Sequence, residues 1–160
     1  MNVICLNGTI NAGKSHVGRE LLRRLPDARL VEGEESGVSA EQPLTVRIAA
    51  ALTRIETFIL GLRHANLIVA YPLRDEDYQR IEAACRQRGA RLLCATLAPP
   101  QAIALTNRGA RELTDWERER IVAMYQEGYH ERAFSDLIID TSRVDMTATA
   151  QRIVDALRQA

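Results

Sequence analysis

The stretch VICLNGTINAGKS, residues 3–15, decides the fold of this 160-residue chain. Its first four residues form an apolar run that is typical of a buried parallel strand. Residues 8–15 match the pattern G-x-x-x-x-G-K-[ST], with Gly8, Gly13, Lys14 and Ser15 at its four defined positions. Glycines let the backbone curl so that its N–H groups point toward a phosphate, and a following helix presents its positive end to the same anion. The stretch therefore predicts a phosphate-binding loop between a strand and a helix.

Strands and helices alternate along the rest of the chain. Apolar runs predict strands at 3–6, 28–32, 66–71, 91–97 and 136–140, and helical spacing predicts helices at 15–25, 44–63, 74–88, 100–107, 115–127 and 146–158. Gly89 fits a helix C-cap, and Thr114 with Glu117 fits a capping box. This order predicts an α/β protein with a three-layer α/β/α P-loop NTPase fold and a five-stranded parallel sheet, in a single domain over residues 1–160.

The composition excludes several classes of partner. Hydrophobic residues make up 46% and charged residues 26%, as in ordinary globular proteins. The net charge is zero, whereas proteins that bind nucleic acid or anionic membranes usually carry a basic excess. Aromatic residues make up only 4%, which disfavours base-stacking surfaces. We therefore expect neither nucleic acid nor a membrane as a partner, and any anion site must be local.

The distribution of lysine supports the phosphate loop independently. Among the 21 Lys and Arg residues, Lys14 is the only lysine. Arginine is planar and bulky, so it cannot replace the loop lysine without a steric cost. A lysine kept at this position alone is what phosphate binding by a compact ammonium group predicts.

The cysteines Cys5, Cys85 and Cys94 are odd in number and lack the spacing of a zinc site. They lie in predicted strands or helices, so we expect buried free thiols in a reducing compartment. No signal peptide is expected, and every apolar run is far shorter than the ~20 residues of a membrane span. These features favour a cytoplasmic protein.

The loop predicts ATP and Mg²⁺ as its ligands. Lys14 would contact the β- and γ-phosphates, and the Ser15 hydroxyl would coordinate the metal. His16 lies in the first helical turn, where a packing or surface role is also open. The predicted nucleotide-binding residues of this region are Gly8, Asn11, Ala12, Gly13, Lys14, Ser15 and His16.

Acidic residues follow the second predicted strand, whose end should lie beside the phosphate loop. Phosphoryl transfer needs a carboxylate near the acceptor hydroxyl, as a base or to position it. Glu35 or Glu34 is the candidate for this role, and Glu32 is the candidate for holding Mg²⁺ or a water bound to it. A solvated acidic loop is the alternative.

Arginines supply the remaining candidates. Arg108 and Arg111 lie in a predicted lid at about 107–114, from which they could neutralise charge that develops on the phosphates. Ordinary surface positions are the alternative. Arg74, after the third strand, could reach the site from the opposite wall. Arg118 is expected to be solvated, and Trp116 is expected to be a core contact.

With these residues, the chain resembles the small P-loop kinases, a group that includes shikimate, nucleoside-monophosphate and gluconate kinases. It looks most like chloramphenicol phosphotransferase-like and shikimate kinase-like proteins, and the resemblance spans nearly the whole chain. It rests on Leu-Asn-Gly at 6–8, Ala-Gly-Lys-Ser at 12–15, Leu-Pro at 25–26 and Asp-Thr-Ser at 140–142. The resemblance implies that Glu35 is the acceptor base, at a position where the family has Asp, and that Thr141 lies near the adenine.

The sequence also departs from the resemblance. The acidic residue usual after the third strand is absent, because the chain there reads Ala70-Tyr71-Pro72. The sequence therefore predicts an ATP-dependent kinase of a small hydroxyl-bearing metabolite or drug, with Lys14, Glu35, Arg108 and Arg111 as catalytic residues and an acceptor region at about 33–63. A catalytically degenerate ATP-binding module is the main alternative. A GTPase-like switch is disfavoured because N-K-x-D and D-x-x-G motifs are absent. A monomer or a homodimer would suit either reading.

Overall fold

The computed structural model describes residues 1–33, 37–39, 41–107 and 111–159. Its strands are β1 (Asn2–Asn7), β2 (Ala28–Glu32), β3 (Asn66–Ala70), β4 (Arg91–Leu97) and β5 (Leu137–Ile139). Its helices are α1 (Lys14–Arg24), α2 (Leu44–Gly61), α3 (Asp75–Arg88), α4 (Gln101–Ala104), α5 (Asp115–Gln126) and α6 (Met146–Gln159). The strands form one parallel sheet in the order β2-β3-β1-β4-β5. The predicted fold class is confirmed.

Helices cover both faces of the sheet. Because successive side chains of a strand point to opposite faces, Val3 and Cys5 pack with α2 and α3, while Ile4 and Leu6 pack with α1 and α6. Strands that are buried on both faces have continuous apolar runs in their sequence, which is why the sequence predicts them. Cys5, Cys85 and Cys94 are buried and free, as predicted.

The strand order reverses beside β1. This strand pairs with β3 on one side, Cys5 opposite Val69, and with β4 on the other, Cys5 opposite Cys94. The chain leaves β1 for β2 and β3 and only later crosses to β4 and β5. In open α/β sheets a crevice forms at the carboxyl ends of the strands where the order reverses. Residues 8–13, directly after β1, lie at this crevice.

The predicted signals at helix ends are confirmed. Gly89 follows α3 in a left-handed conformation, with φ of 66°. The Thr114 hydroxyl accepts a hydrogen bond from the Glu117 N–H, and the Glu117 carboxylate accepts one from the Thr114 N–H. Within the described ranges, no helix is long and apolar enough to cross a membrane.

Several expectations differ from the structure. Helix α4 ends at Ala104 instead of 107, where the chain tightens into a turn closed by a hydrogen bond from the Thr106 N–H to the Ile103 carbonyl oxygen. Strand β5 spans three residues instead of five, because the flanking carboxylates of Asp136 and Asp140 bind backbone N–H groups. Trp116 is not a core contact: it is 60% exposed at the start of α5.

Candidate active site

The phosphate loop curls through three left-handed residues. Gly8, Asn11 and Gly13 have φ angles of 130°, 63° and 102°. Gly8 also lies so close to β4 that a Cβ atom there would stand 2.4 Å from the Leu97 carbonyl oxygen. Glycine is required at Gly8 by its conformation and its contact, and asparagine tolerates the left-handed region better than other side chains. The backbone thus forms the concave loop that the motif predicts.

Lys14 holds its ammonium group at this loop. Its Nζ atom donates hydrogen bonds to the carbonyl oxygens of Gly8 at 3.0 Å and Thr9 at 2.6 Å. Lys14 begins α1, with Gly13 as its N-cap, and no acidic residue lies in the first turn. The helix end and the ammonium group therefore both bring positive charge to the loop, as an anion site requires.

Ser15 and His16 follow in the first turn of α1. Ser15 is half-buried, and His16 is exposed. The buried Thr141 hydroxyl donates to the Ala12 carbonyl oxygen at 3.0 Å. Thr141 was predicted to lie near a nucleotide base, and its side chain supports the phosphate loop.

The buried side chain of Asn7 supports the start of the phosphate loop. Asn7, the last residue of β1, is fully buried, and its Nδ2 atom donates to Thr96 Oγ1 at 3.0 Å and to the Tyr129 carbonyl oxygen at 3.3 Å. Its Oδ1 atom accepts from the Leu73 N–H at 2.9 Å. One amide therefore joins the start of the phosphate loop to β4, to the segment after β3 and to the segment after α5.

The structure describes some of the predicted acidic and arginine residues and not others. Glu32 ends β2 and lies 3.4 Å from Arg19. Arg111 forms an ion pair with Glu117, the capping residue of α5. Glu34, Glu35 and Arg108 lie outside the described residues, so their predicted roles remain predictions. Within the described ranges, no cluster of three or more His, Cys, Asp or Glu side chains could hold a metal ion.

A cleft opens between α2 and α3, and α3 starts directly beyond the carboxyl end of β3. The cleft has a volume of about 190 Å³. Apolar side chains from α2 form one wall and charged side chains from α3 the other: Thr45, Ile48, Ala49, Leu52, Arg74, Glu76, Asp77 and Arg80. Such a mixed surface suits a small molecule with both apolar and polar parts.

The arginines of this cleft already have partners. Arg74 binds both oxygens of Asp77 at 2.9 Å and lies 2.7 Å from Glu76. The hydrogen bond to Asp77 raises the pKa of Arg74. Arg80 binds both oxygens of Glu56 at 2.8 Å. Arg74 thus lies in the cleft with its charge compensated, and its reach to the phosphate loop stays a prediction.

Sequence reasoning missed two residues at this edge. Tyr71 follows β3, and burial, followed by the charge of Asp77, raises its pKa from 10 to about 12. The charge of Arg47, half-buried on α2, acts on the same tyrosine. The Arg47 guanidinium makes no ion pair with any described residue. In a chain so rich in arginine, no local pattern singles out Arg47.

The comparisons with known proteins bear on the fold. No protein-family model and no curated protein matches the chain. It is similar to the tunicamycin resistance protein of Deinococcus radiodurans, with 20% identity, a TM-score of 0.65, and coverage of 98% of this chain and 95% of that one. It is also similar to the APS kinase of Mycobacterium tuberculosis in complex with AMPPNP and APS, with 19% identity, a TM-score of 0.69, and coverage of 99% and 98%.

A third similar structure is the shikimate kinase of Acinetobacter baumannii in complex with shikimate. It is 18% identical, with a TM-score of 0.62 and coverage of 99% of this chain and 93% of that one. The chain therefore has the P-loop fold of the small kinases over its whole length. The predicted resemblance is confirmed as a likeness of fold.

Proposed function

We propose that this protein is an ATP-dependent phosphotransferase that acts on a small hydroxyl-bearing metabolite or drug. One observation carries the proposal. The phosphate loop holds the ammonium group of Lys14, the sole lysine, at the carboxyl ends of the strands, and the α2–α3 cleft opens at the same end of the sheet. A phosphate donor and a small acceptor could thus meet at one edge. Two of the similar structures are kinases by name, which supports the same class.

The nucleotide would bind at the loop. Backbone N–H groups of residues 8–16 and the Lys14 ammonium group would bind its phosphates. Lys14 would exchange its present carbonyl partners for phosphate oxygens, which are stronger acceptors because they are charged. We place the adenine near Thr141, which lies next to the loop through Ala12.

The residues also fit a magnesium ion. Ser15 and Glu32 offer a hydroxyl and a carboxylate, which are the oxygen ligands that Mg²⁺ takes, and phosphates and water supply the rest in such sites. Bound magnesium would neutralise charge on the phosphates. In this proposal the Ser15 hydroxyl and the Glu32 carboxylate, which now lies 3.4 Å from Arg19, would hold the metal.

The acceptor would bind in the predicted acceptor region, residues 33–63, whose helix α2 lines one wall of the cleft. In this proposal Glu35 positions or deprotonates its hydroxyl, and Arg108 and Arg111 act from the lid at about 107–114. We add Arg47 and Tyr71, whose guanidinium and protonated hydroxyl both offer hydrogen-bond donors at this edge. The three buried free thiols suit the cytoplasmic location that the sequence predicts.

A second candidate function is nucleotide binding without turnover. The observation that favours it is the end of β3, where Ala70 and Tyr71 stand and no carboxylate is present. The next buried carboxylate, Asp77, is already bound to Arg74. In this reading the protein senses ATP or acts as a scaffold.

Calorimetry with Mg·ATP tests the proposal. Wild type should bind, and Lys14→Ala should lose binding. Arg86→Ala, which removes one positive charge from an exposed position on α3, should bind like wild type. ADP release would then be measured over a panel of small hydroxyl compounds. Failure of wild type to bind nucleotide would refute both candidates, and binding without transfer to any acceptor would favour the second.

A further inference from the structure

Asn11 connects the phosphate loop to a distant turn. Its backbone is left-handed, with φ of 63°, at the fourth position of the loop. Its Nδ2 atom donates two hydrogen bonds, to the carbonyl oxygens of Ala104 at 2.8 Å and Thr106 at 2.9 Å. The loop is therefore bound through one side chain to the turn that ends α4, residues 104–107.

The same turn is bound to α5 from its other side. Arg118 donates to the Leu105 carbonyl oxygen and, at 3.1 Å, to Asn107 Oδ1. Asn107 Oδ1 also accepts the Leu113 N–H at 3.1 Å. Three consecutive carbonyl groups are thus taken by side chains, two of them by the phosphate loop and one by α5. Arg118, expected to be solvated, is half-buried in this arrangement.

We propose that Asn11 is a positioning residue that couples nucleotide occupancy of the phosphate loop to the 104–107 turn and, through Arg118, to α5. The inference rests on the proposed function, because the loop must bind nucleotide. Lys14 now donates to the carbonyl groups of Gly8 and Thr9, and a bound phosphate would compete for its ammonium group. Any adjustment of the loop backbone reaches the turn directly, since the Asn11 side chain has only two torsions.

The connection positions residues of the proposed reaction. Arg118 carries the connection into α5, and Glu117, the residue before it, pairs with Arg111. A change at the turn would therefore alter where the arginine of the predicted lid is held. The Asn11 side chain acts through these residues and not on the phosphates themselves.

Hydrogen exchange gives a test without a known acceptor. In wild type, AMPPNP with magnesium should slow amide exchange in residues 8–15 and also in residues 101–107, where the amides of residues 103–106 bond within α4 and its turn. Trp116, the only tryptophan, is exposed near the start of α5 and should change its fluorescence on binding.

Asn11→Gly is the decisive variant, because glycine adopts the left-handed backbone and lacks the amide. At saturating AMPPNP, it should still show slower exchange in residues 8–15 and should lose the slowing in 101–107 and the Trp116 response. Thr106→Val is the matched control: it removes the hydroxyl bond to Ile103 within the turn and leaves the Thr106 carbonyl group for Asn11. It should respond like wild type.

The outcomes separate the two proposals. If wild type binds AMPPNP and Asn11→Gly keeps the full response at 101–107 and Trp116, the coupling is wrong and the nucleotide site stands. If wild type binds no nucleotide, the proposed function and the coupling both fall. Should Asn11→Gly not fold, Asn11→Ala gives the same two readouts, with a small backbone strain in place of the added freedom.

Discussion

Tyr71 packs directly on Gly33: a Cβ atom added to Gly33 would stand 1.8 Å from Cδ2 of the tyrosine ring. The two residues follow neighbouring strands, and the Gly33 N–H donates to the Ala70 carbonyl oxygen at 3.2 Å. The ring therefore covers the start of the segment that leads to Glu35. This contact holds the Tyr71 ring at the carboxyl end of β3.

Gly33→Ala should displace the Tyr71 ring. Overpacking of a fitted contact costs about 1–3 kcal/mol, and we expect a loss of unfolding free energy in this range. Denaturant unfolding measures it. Because Tyr71→Ala removes the ring, the double variant should be no less stable than Tyr71→Ala alone. A Gly33→Ala protein as stable as wild type would show that the ring moves aside without cost.

Asn7→Leu should be strongly destabilising. It leaves the Leu73 N–H without its buried partner and removes two hydrogen bonds that Asn7 donates, so we expect a loss of about 3 kcal/mol. The matched control is Asn2→Ala, which removes a part-buried bond to Asn66 at the other end of the same strand and should cost about 1 kcal/mol. Equal losses in denaturant unfolding would contradict the role of Asn7 as a central connection.

Lys14→Arg should bind nucleotide more weakly than wild type, although it keeps the positive charge. The Lys14 Nζ atom fits within 2.6–3.0 Å of two loop carbonyl groups, and a planar guanidinium is too large for this position. Hydrogen bonds to charged groups contribute about 1.5–3 kcal/mol, so affinity should fall roughly 10- to 100-fold. Calorimetry with Mg·ATP checks this. Wild-type affinity in Lys14→Arg would mean that charge alone suffices at the loop.

The capping carboxylate of α5 should make stability depend on pH. Hydrogen bonds from the Thr114 N–H and then from Arg111 lower the pKa of Glu117 below its ordinary 4.5. A lowered folded-state pKa contributes stability that is complete above about pH 5 and disappears as pH falls through the folded-state value. The stability difference between wild type and Glu117→Gln should therefore be constant near neutrality and shrink in acid.

The exposed Glu119, on the same helix, provides the control for this measurement. Glu119→Gln should show a much smaller difference from wild type across the same range of pH in thermal unfolding. A difference for Glu117→Gln that does not change between pH 7 and the acid limit of folding would show that its carboxylate is not held in the charged form.

The sequence by itself determined the fold and the phosphate loop. Strands buried on both faces appear as apolar runs, and helix ends such as Thr114 with Glu117, or Gly89, depend on residues three or four positions apart. The positive φ angles that favour glycine at Gly8 and Gly13 are also local, whereas the close contact of Gly8 with Leu97 is not. These features could be predicted because each of them is decided by a short stretch of chain.

Tertiary structure alone decided how the loop is connected. Asn11 bonds to carbonyl groups 93 and 95 residues away, and Asn7 bonds to Thr96 and Tyr129, 89 and 122 residues away. Asn11 and Arg118 hold the turn after α4, and these bonds leave Arg118, which was expected in solvent, half-buried on α5. Trp116 was misplaced because hydrophobicity does not tell which side of a helix meets a neighbour. A polar side chain bonds to groups that lie within hydrogen-bond distance in the folded molecule. Groups that are far apart in the sequence become neighbours only when the sheet brings the ends of its strands together.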